Sequence, residues 1–363
     1  MRIGVDIRET FGEKAGKGWY TLNLLKNILK VDNQNEYILY SSQPNSFFEK
    51  YKNVRLKCIK AKGLFWHVKA RKDIRKQNLD IYFSPVSYVI PAFIPKNTKS
   101  IFTVHDLVAF LFPWGHNKRA VLIEKFLLGK ALKKATKVCC VSKNTKNDLL
   151  QEYKGTEKNL FRIISCAADN NFRKTSGEKI LKNIPQKFFL SVGTIIPRKN
   201  YVNLIKAFSI AKESLPDHKL IIIGKKGWSY KKVFNTAYSS GLKEDVIFLD
   251  YVKGSDLIKY YNTAEAFVFT SLYEGFGIPP LEAMKCGCPV ISSHISSMKE
   301  VVGQAGLIID PKNINDVASA MIKLSKNKKL RDKLIKRGFA QSKKFNWEKS
   351  AKKMLNIFKE IQN

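Results

Sequence analysis

Short, nearly continuous apolar runs alternate along the chain with longer stretches in which apolar residues recur every three or four positions. Runs of the first kind fall at Ile3–Ile7, Tyr37–Tyr40, Val54–Cys58, Ile81–Phe83, Ser100–Val104, Lys137–Val141 and Arg162–Ile164. Strands apolar on both sides are those buried on both faces of a parallel sheet. The helical period fills Tyr20–Lys30, Lys69–Gln77, Lys118–Ala135 and Thr145–Tyr153. This βα alternation predicts a doubly wound parallel sheet. It breaks at Arg173–Gln186, a polar segment containing Gly177 and Pro185 that reads as a linker, and restarts at Phe188–Thr194. Strands at Leu220–Ile223, Val246–Leu249, Ala266–Thr270 and Pro289–Ile291 follow, with helices between them, and a last helix is expected over Glu348–Ile361. The expected division is residues 1–172, a linker at 173–186, and residues 187–345.

Composition agrees with two α/β domains. A chain of 363 residues is too long for one core, and 44% hydrophobic with 26% charged residues describes a globular protein. No apolar run approaches the roughly eighteen residues that span a bilayer, and the opening Met1–Ile7 reads as a strand rather than a signal core. The six cysteines form no Cys-x-x-Cys pair and are expected to be reduced, buried thiols of a cytoplasmic protein.

Charge changes the picture. The net charge is +35, with two local concentrations: Lys52–Lys76, with Phe65 and Trp66 in its middle, and Lys323–Asn363. Basic faces carrying exposed aromatics suit an anionic membrane surface. They also suit nucleic acid, and plain solvated faces of a lysine-rich chain give the same count.

The densest chemistry lies in Ser271–Ser292. Glu274 and Glu282 stand on either side of Gly275, Gly277 and the pair Pro279-Pro280. The glycines allow a tight turn and a close approach to a ligand. Proline at the first helical turn predicts a helix to about Lys285, whose N-terminus offers amides and partial positive charge to an anion. Two acids beside such a site can hold hydroxyls while the amides hold phosphate, the two parts of a sugar nucleotide.

This stretch resembles the Glu-x7-Glu motif of retaining GT-B glycosyltransferases, family 4 (group 1) in particular. The resemblance implies GT-B architecture, two Rossmann-like doubly wound parallel-sheet domains facing across a cleft, with the C-terminal helix, 346–363, packing back on the N-terminal, acceptor-side domain. It implies that Glu274 faces the donor sugar, with Gly275, Phe276, Gly277 and Ile278 supplying backbone contacts, and that Glu282 bonds the nucleotide ribose. Lys199 matches the lysine of the family's diphosphate-neutralising basic pair. The usual arginine is replaced by Thr194, so Arg198 is its candidate substitute. Gly16 and Gly18 match the first glycine-bearing βα loop, which closes over donor phosphate and acceptor. His105, followed by Asp106, matches a histidine near the anomeric centre. Gly224, Tyr251 and Val252 match loops lining the base pocket, although Asp250 replaces the customary glycine before Tyr251.

The implied activity is hexosyl transfer from a nucleoside-diphosphate sugar, GDP-mannose ahead of UDP-sugars, to a glycan or lipid-linked glycan in cell-surface polysaccharide or lipopolysaccharide synthesis. No metal or other cofactor is expected, since the sequence lacks an Asp-x-Asp motif. The expected location is the cytoplasm, peripheral on the membrane face through Lys52–Lys76, with no nucleic-acid partner. Two rivals remain: a catalytically silent sugar-nucleotide binder, and a nucleic-acid-binding protein. The first would need a broken site, and the second leaves the motif unexplained.

Overall fold

The computed structural model describes residues 1–12, 16–115, 117–175 and 184–362. Part of the expected first glycine loop (13–15), His116, most of the expected linker (176–183) and the last residue of the terminal helix segment lie outside them. The chain divides into two compact units, Met1–Cys166 with Asn346–Asn363, and Ala167–Phe345.

The first unit begins with β1 (Arg2–Asp6), α1 (Gly16–Val31), β2 (Glu36–Ser41), β3 (Val54–Cys58), α2 (Gly63–Lys76) and β4 (Ile81–Ser84). It continues with α3 (Val89–Ala92), β5 (Lys99–Val104), α4 (Val108–Leu111), α5 (Lys118–Lys134), β6 (Lys137–Cys140), α6 (Lys143–Glu152) and β7 (Phe161–Ile163). Its sheet has the order β3-β2-β1-β4-β5-β6-β7, parallel throughout, so the winding reverses between β1 and β4. Central strands are buried on both faces while edge strand β3 is half-exposed and alternates apolar with charged residues, Val-Arg-Leu-Lys-Cys.

The second unit comprises β8 (Phe188–Val192), α7 (Tyr201–Ser214), β9 (Lys219–Ile223), α8 (Tyr230–Ser239), β10 (Val246–Leu249), α9 (Gly254–Thr263) and β11 (Ala266–Phe269). After these come α10 (Ile278–Lys285), β12 (Val290–Ser293), α11 (Met298–Val301), β13 (Gly306–Ile309), α12 (Ile314–Lys326) and α13 (Lys328–Ser342). The order β10-β9-β8-β11-β12-β13, again all parallel, reverses between β8 and β11. β13 was missed because Gly306-Leu307-Ile308-Ile309 is a short edge strand with one of its four residues buried.

The last helix, α14 (Trp347–Gln362), belongs to the first unit. Trp347 meets Tyr20 of α1 edge-on at 5.8 Å, Met354 lies against Cys139, and Ser350 Oγ donates to the Ser165 carbonyl at 2.7 Å. Its inward stripe (Ala351, Met354, Phe358, Ile361) is what its helical period required.

Three expectations need correction. The second unit starts at Ala167, not 187, because Ala167–Thr175 is tied to it: Lys285 Nζ donates to the carbonyls of Ala168 and Asp169, each at 3.1 Å, and Thr175 N donates to Asn262 at 2.8 Å. Gly16 and Gly18 are not loop residues; they lie in the first turn of α1. Cys58, at the end of edge strand β3, is exposed, while the other five thiols are buried and free. Among the described residues no helix is long and apolar enough to cross a membrane.

Candidate active site

The second sheet's reversal point separates β8 from β11, and the loops leaving the carboxyl ends of these strands carry the charged residues of interest. Open α/β sheets bind ligands at such a point. After β8 the chain turns at Gly193, forms a single 3₁₀ turn over Pro197–Lys199, and enters α7 through Asn200 in a left-handed conformation, φ 61°. Asparagine tolerates that conformation, and here its side chain donates to the Pro311 carbonyl at 2.6 Å. After β11 the chain runs through Ser271–Gly277 into α10, which begins at Ile278 with prolines at its second and third positions.

The two loops are joined by backbone and side chain. Leu272 N donates to Arg198 O at 2.9 Å, Thr270 Oγ1 donates to Lys199 O at 3.1 Å, and Arg198 donates to Tyr273 O. These contacts hold both cations over Glu274. Lys199 Nζ lies 2.5 Å from Glu274 Oε1, and Arg198 Nη1 lies 2.8 Å from Oε2. Burial opposes ionisation of Glu274, but the two cations outweigh it and hold its pKa down at about 2. Lys199 also lies over the Phe269 ring, 4.8 Å from its centroid. The cluster carries two positive charges against one negative, and α10 has no side-chain cap on its first turn. That combination attracts an anion with several oxygens.

Close packing fixes the lysine. A Cβ on Gly193 would sit 3.0 Å from Lys199 Cε, and one on Gly224 would sit 2.0 Å from the Gly193 carbonyl oxygen. Gly224 is therefore a packing position beneath the basic loop. Gly277, at φ 92°, turns the chain into α10 where a Cβ would strike Met298 Cε at 2.3 Å.

Sequence reasoning missed Ser296 and Ser297 in the loop after β12. Ser296 Oγ accepts from Glu274 N at 2.9 Å, and Ser297 Oγ lies 2.9 Å from Glu274 O and 2.8 Å from Phe276 O. Both serines position the loop bearing Glu274. An ordinary His294-Ile295-Ser296-Ser297 segment gives no periodic or motif signal that could have found them.

The other expected residues are placed as follows. Glu282, on α10, accepts a hydrogen bond from Tyr261 Oη at 3.1 Å. Burial pushes its pKa up to about 7, assisted by the nearby Asp169 and moderated by Tyr261 and Lys285. The Phe276 side chain packs edge-on against Phe345 at 5.4 Å, so only its backbone is offered to a ligand. Tyr251 is half-exposed, with Lys225 Nζ 5.6 Å from its ring centroid; beside it Val252 is partly buried. Glu274, Lys199 and Arg198 form one cluster, whereas Gly16, Gly18, His105 and Asp106 belong to the first unit.

There, His105 follows β5 and is buried. Its Nε2 lies 2.9 Å from the Pro85 carbonyl, which can only accept, so Nε2 carries the proton and Nδ1 the lone pair. Burial and the nearby Lys17 lower its pKa to about 4 against the opposing pull of Pro85 and Asp106, leaving the imidazole neutral at pH 7. Asp106 Oδ1 caps the following turn by accepting from Val108 N at 3.1 Å. Among the described residues, no group of three or more His, Cys, Asp or Glu is placed to hold a metal ion.

A family model described as "Glycosyl transferases group 1" matches residues 172–341, and one described as "Glycosyltransferase Family 4" matches residues 16–172. The chain is 30% identical over 267 residues to the O-antigen chain mannosyltransferase B of Escherichia coli, covering 72% of this chain and 70% of that one. Sucrose-phosphate synthase from Thermosynechococcus elongatus matches with a TM-score of 0.82 at 20% identity, over 99% of this chain and 98% of that one. Anabaena HepE, solved with UDP and glucose, matches with a TM-score of 0.80 at 18% identity, over 99% of this chain and all of that one. Parallel sheets of seven and six strands, each flanked by helices, are the GT-B architecture.

Proposed function

Because the chain belongs to the group 1, family 4 glycosyltransferases, we propose that it moves a hexose, mannose from GDP-mannose in the first instance, onto a glycan or lipid-linked glycan of a cell-surface polysaccharide, with retention at the anomeric carbon and without a metal. The observation that carries this reading is the Glu274–Lys199–Arg198 cluster at the reversal point of the second sheet. The choice of mannose and of an O-antigen-like product rests on the E. coli relative, named an O-antigen chain mannosyltransferase.

In this mechanism the diphosphate of the donor takes Lys199 and Arg198 as counter-cations, with the amides at the start of α10 completing the cradle. The bond from the anomeric carbon to the diphosphate oxygen breaks as the acceptor oxygen attacks the same face. The acceptor's proton passes to the departing diphosphate. Glu274, held ionised, accepts from donor-sugar hydroxyls and favours positive charge spreading over the ring. Glu282 accepts from the ribose hydroxyls. His105 serves as a neutral hydrogen-bonding group, as its depressed pKa requires. Tyr251, Val252 and the Gly224 corner border the base.

The test is thermal unfolding with GDP, UDP, ADP, TDP and their sugar conjugates in the absence of metal, followed by proton NMR of the product formed from the best donor. A ligand at a hundred times its Kd adds about 2.7 kcal/mol of stability. Stabilisation by GDP and an α-linked product from the α-linked donor are expected. No response to any nucleotide, or a β-linked product, would overturn the reading.

A further inference from the structure

Helix α2 has two apolar faces. Trp66, Ala70 and Ile74 point into the first unit, Trp66 donating its indole N–H to the Ser41 carbonyl at 3.1 Å. Leu64, Phe65 and Val68 point outward, and Phe65 is 77% exposed. The expectation that Trp66 is a surface aromatic is thereby corrected; the surface role falls to Leu64 and Phe65. Helix α5 repeats the arrangement. Val121, Leu128, Ala131 and Leu132 are buried, while Leu122, Ile123 and Phe126 stand outward at 66%, 59% and 63% exposure.

The two outward faces are joined through the end of α3. Leu64 and Val68 line a hollow of about 310 Å³ with Val89, Ile90 and Phe93. Arg71 Nε donates to the Phe93 carbonyl at 2.5 Å. Lys130 of α5 then lies 3.9 Å from the Phe93 ring centroid and 5.8 Å from that of Phe126. The outward apolar face of α2 therefore reaches Phe93, and the Lys130 ammonium joins that ring to Phe126 of α5. In the second unit the exposed large apolar residues, Ile210, Trp228, Tyr238, Tyr251 and Ile308, are scattered over α7, α8, β13 and two loops. Clustered exposed apolar side chains mark an interaction surface.

Its charge selects the partner. Exposed cations surround it: Lys62, Lys69, Arg71 and Lys72 on the α2 side, Arg119 and Lys133 on α5. The acids are Asp73, paired with Lys57 at 2.9 Å, Glu124, and Glu152, paired with Lys125 of α5 at 2.7 Å. A second copy of the chain would bring the same positive field against this one. Nucleic acid would use the cations and leave Leu122, Ile123 and Phe126 in water. An anionic bilayer takes both, headgroups on the cations and the interfacial region around the side chains.

We propose that the outward faces of α2 and α5, bridged by Phe93 and Lys130, are a bilayer-docking surface that inserts Phe65, Leu122 and Phe126 among anionic lipids. The inference extends the lipid-linked-acceptor part of the function proposed above and is independent of the donor. The test is sedimentation of the full chain with vesicles of phosphatidylglycerol and phosphatidylethanolamine, or of phosphatidylcholine alone, at low and high salt. Wild type is expected on the anionic vesicles only. Phe65→Ser and the double variant Leu122→Ser/Phe126→Ser, all at exposed sites, should each lower the bound-to-free ratio about tenfold or more. Thermal stabilisation by the nucleotide that stabilises wild type should be unchanged, which separates a failure here from a failure of the donor site. Three results would overturn the proposal: no binding by wild type, full binding by the apolar variants with complete release in salt, or a wild-type dimer in light scattering that Leu122→Ser/Phe126→Ser converts to monomer.

Discussion

Lys199 Nζ and Glu274 Oε1 are 2.5 Å apart, an ion pair that joins the loops leaving β8 and β11. Arg198 closes on the other carboxylate oxygen at 2.8 Å. With Glu274 at 9% exposure, the carboxylate serves as counter-ion to both cations. Under the function proposed above, an arriving diphosphate competes with it for the same two side chains, so that the site exchanges one anion for another.

Glu274→Gln tests that exchange. It keeps the side-chain shape but frees both cations of their internal partner. Transfer should fall by about a thousandfold, in line with loss of a group aimed at developing charge. Stabilisation by the donor's nucleoside diphosphate should persist or grow. A Glu274→Gln variant that no longer responds to any nucleoside diphosphate would remove the basis for placing the leaving group here.

The two motif acids have opposite consequences for pH. Glu274 drops from an ordinary 4.5 to about 2, so its stabilising contribution is complete above pH 4.5 and disappears as pH falls toward 2. Glu282 rises from 4.5 to about 7, so between these values the native state holds a proton that the unfolded chain has released. Stability must then decline as pH rises through that window. Urea unfolding at the two ends of the window should show wild type losing about 1–2 kcal/mol, less than the full shift implies because Glu282 as a residue is only partly buried. Glu282→Gln should flatten the slope; an unchanged slope in the variant would place the titrating group elsewhere.

Donor binding should carry the same signature with the opposite sign. A carboxylate can accept from both ribose hydroxyls through two oxygens, whereas a protonated carboxyl gives up one of them to its own O–H, so a nucleotide sugar, whose diphosphate diester does not titrate near neutrality, should bind more tightly as pH rises through about 7. Calorimetric affinities of wild type and Glu282→Gln across that range decide the point. A pH-independent wild type would contradict a ribose contact made by the ionised carboxylate.

Gly224→Ala should be severely destabilising. The added Cβ would lie 2.0 Å from the Gly193 carbonyl oxygen, a backbone atom that also accepts the Tyr201 hydroxyl at 2.9 Å. No rotamer relieves that clash, so a loss of about 2–4 kcal/mol is expected, with displacement of Lys199 and loss of turnover. An alanine variant as stable as wild type would show that the β8–β9 corner yields more readily than its packing implies.

His105 is expected to act without titrating. With its pKa lowered to about 4, kcat/KM should show no limb near 6.5 that His105→Gln abolishes. The glutamine variant should lose about tenfold to a hundredfold in kcat/KM while its unfolding midpoint barely moves. A limb near 6.5 present in wild type and absent from the variant would contradict the neutral assignment.

Both sheets were legible because their strands are buried on both sides: Phe188-Phe189-Leu190 and Leu220-Ile221-Ile222-Ile223 admit no other reading once helices flank them. β13 escaped notice because an edge strand needs less apolar length. The boundary at Ala167 was unreadable for a different reason. Asp169 and Thr175 are polar and carry no strand or helix signal, and the contacts that attach this segment to the second unit, from Lys285 and Asn262 and between the Phe172 and Tyr261 rings, leave no mark in the sequence. Lys199 and Glu274 were found by motif, but their direct pairing was not foreseen. Ser296 and Ser297 show what motif reading omits, since a segment that only holds the Glu274 loop in place has no composition of its own.

The return of α14 to the first unit bears on the order of synthesis. Tyr20, Cys139 and the Ser165 carbonyl leave the ribosome long before Trp347, Met354 and Ser350, because all of Ala167–Phe345 is made in between. At about 5–20 residues per second that interval is roughly 10–35 s. During it the nascent first unit exposes the face that α14 later covers, so the second unit is free to fold first and the half begun earliest is finished last.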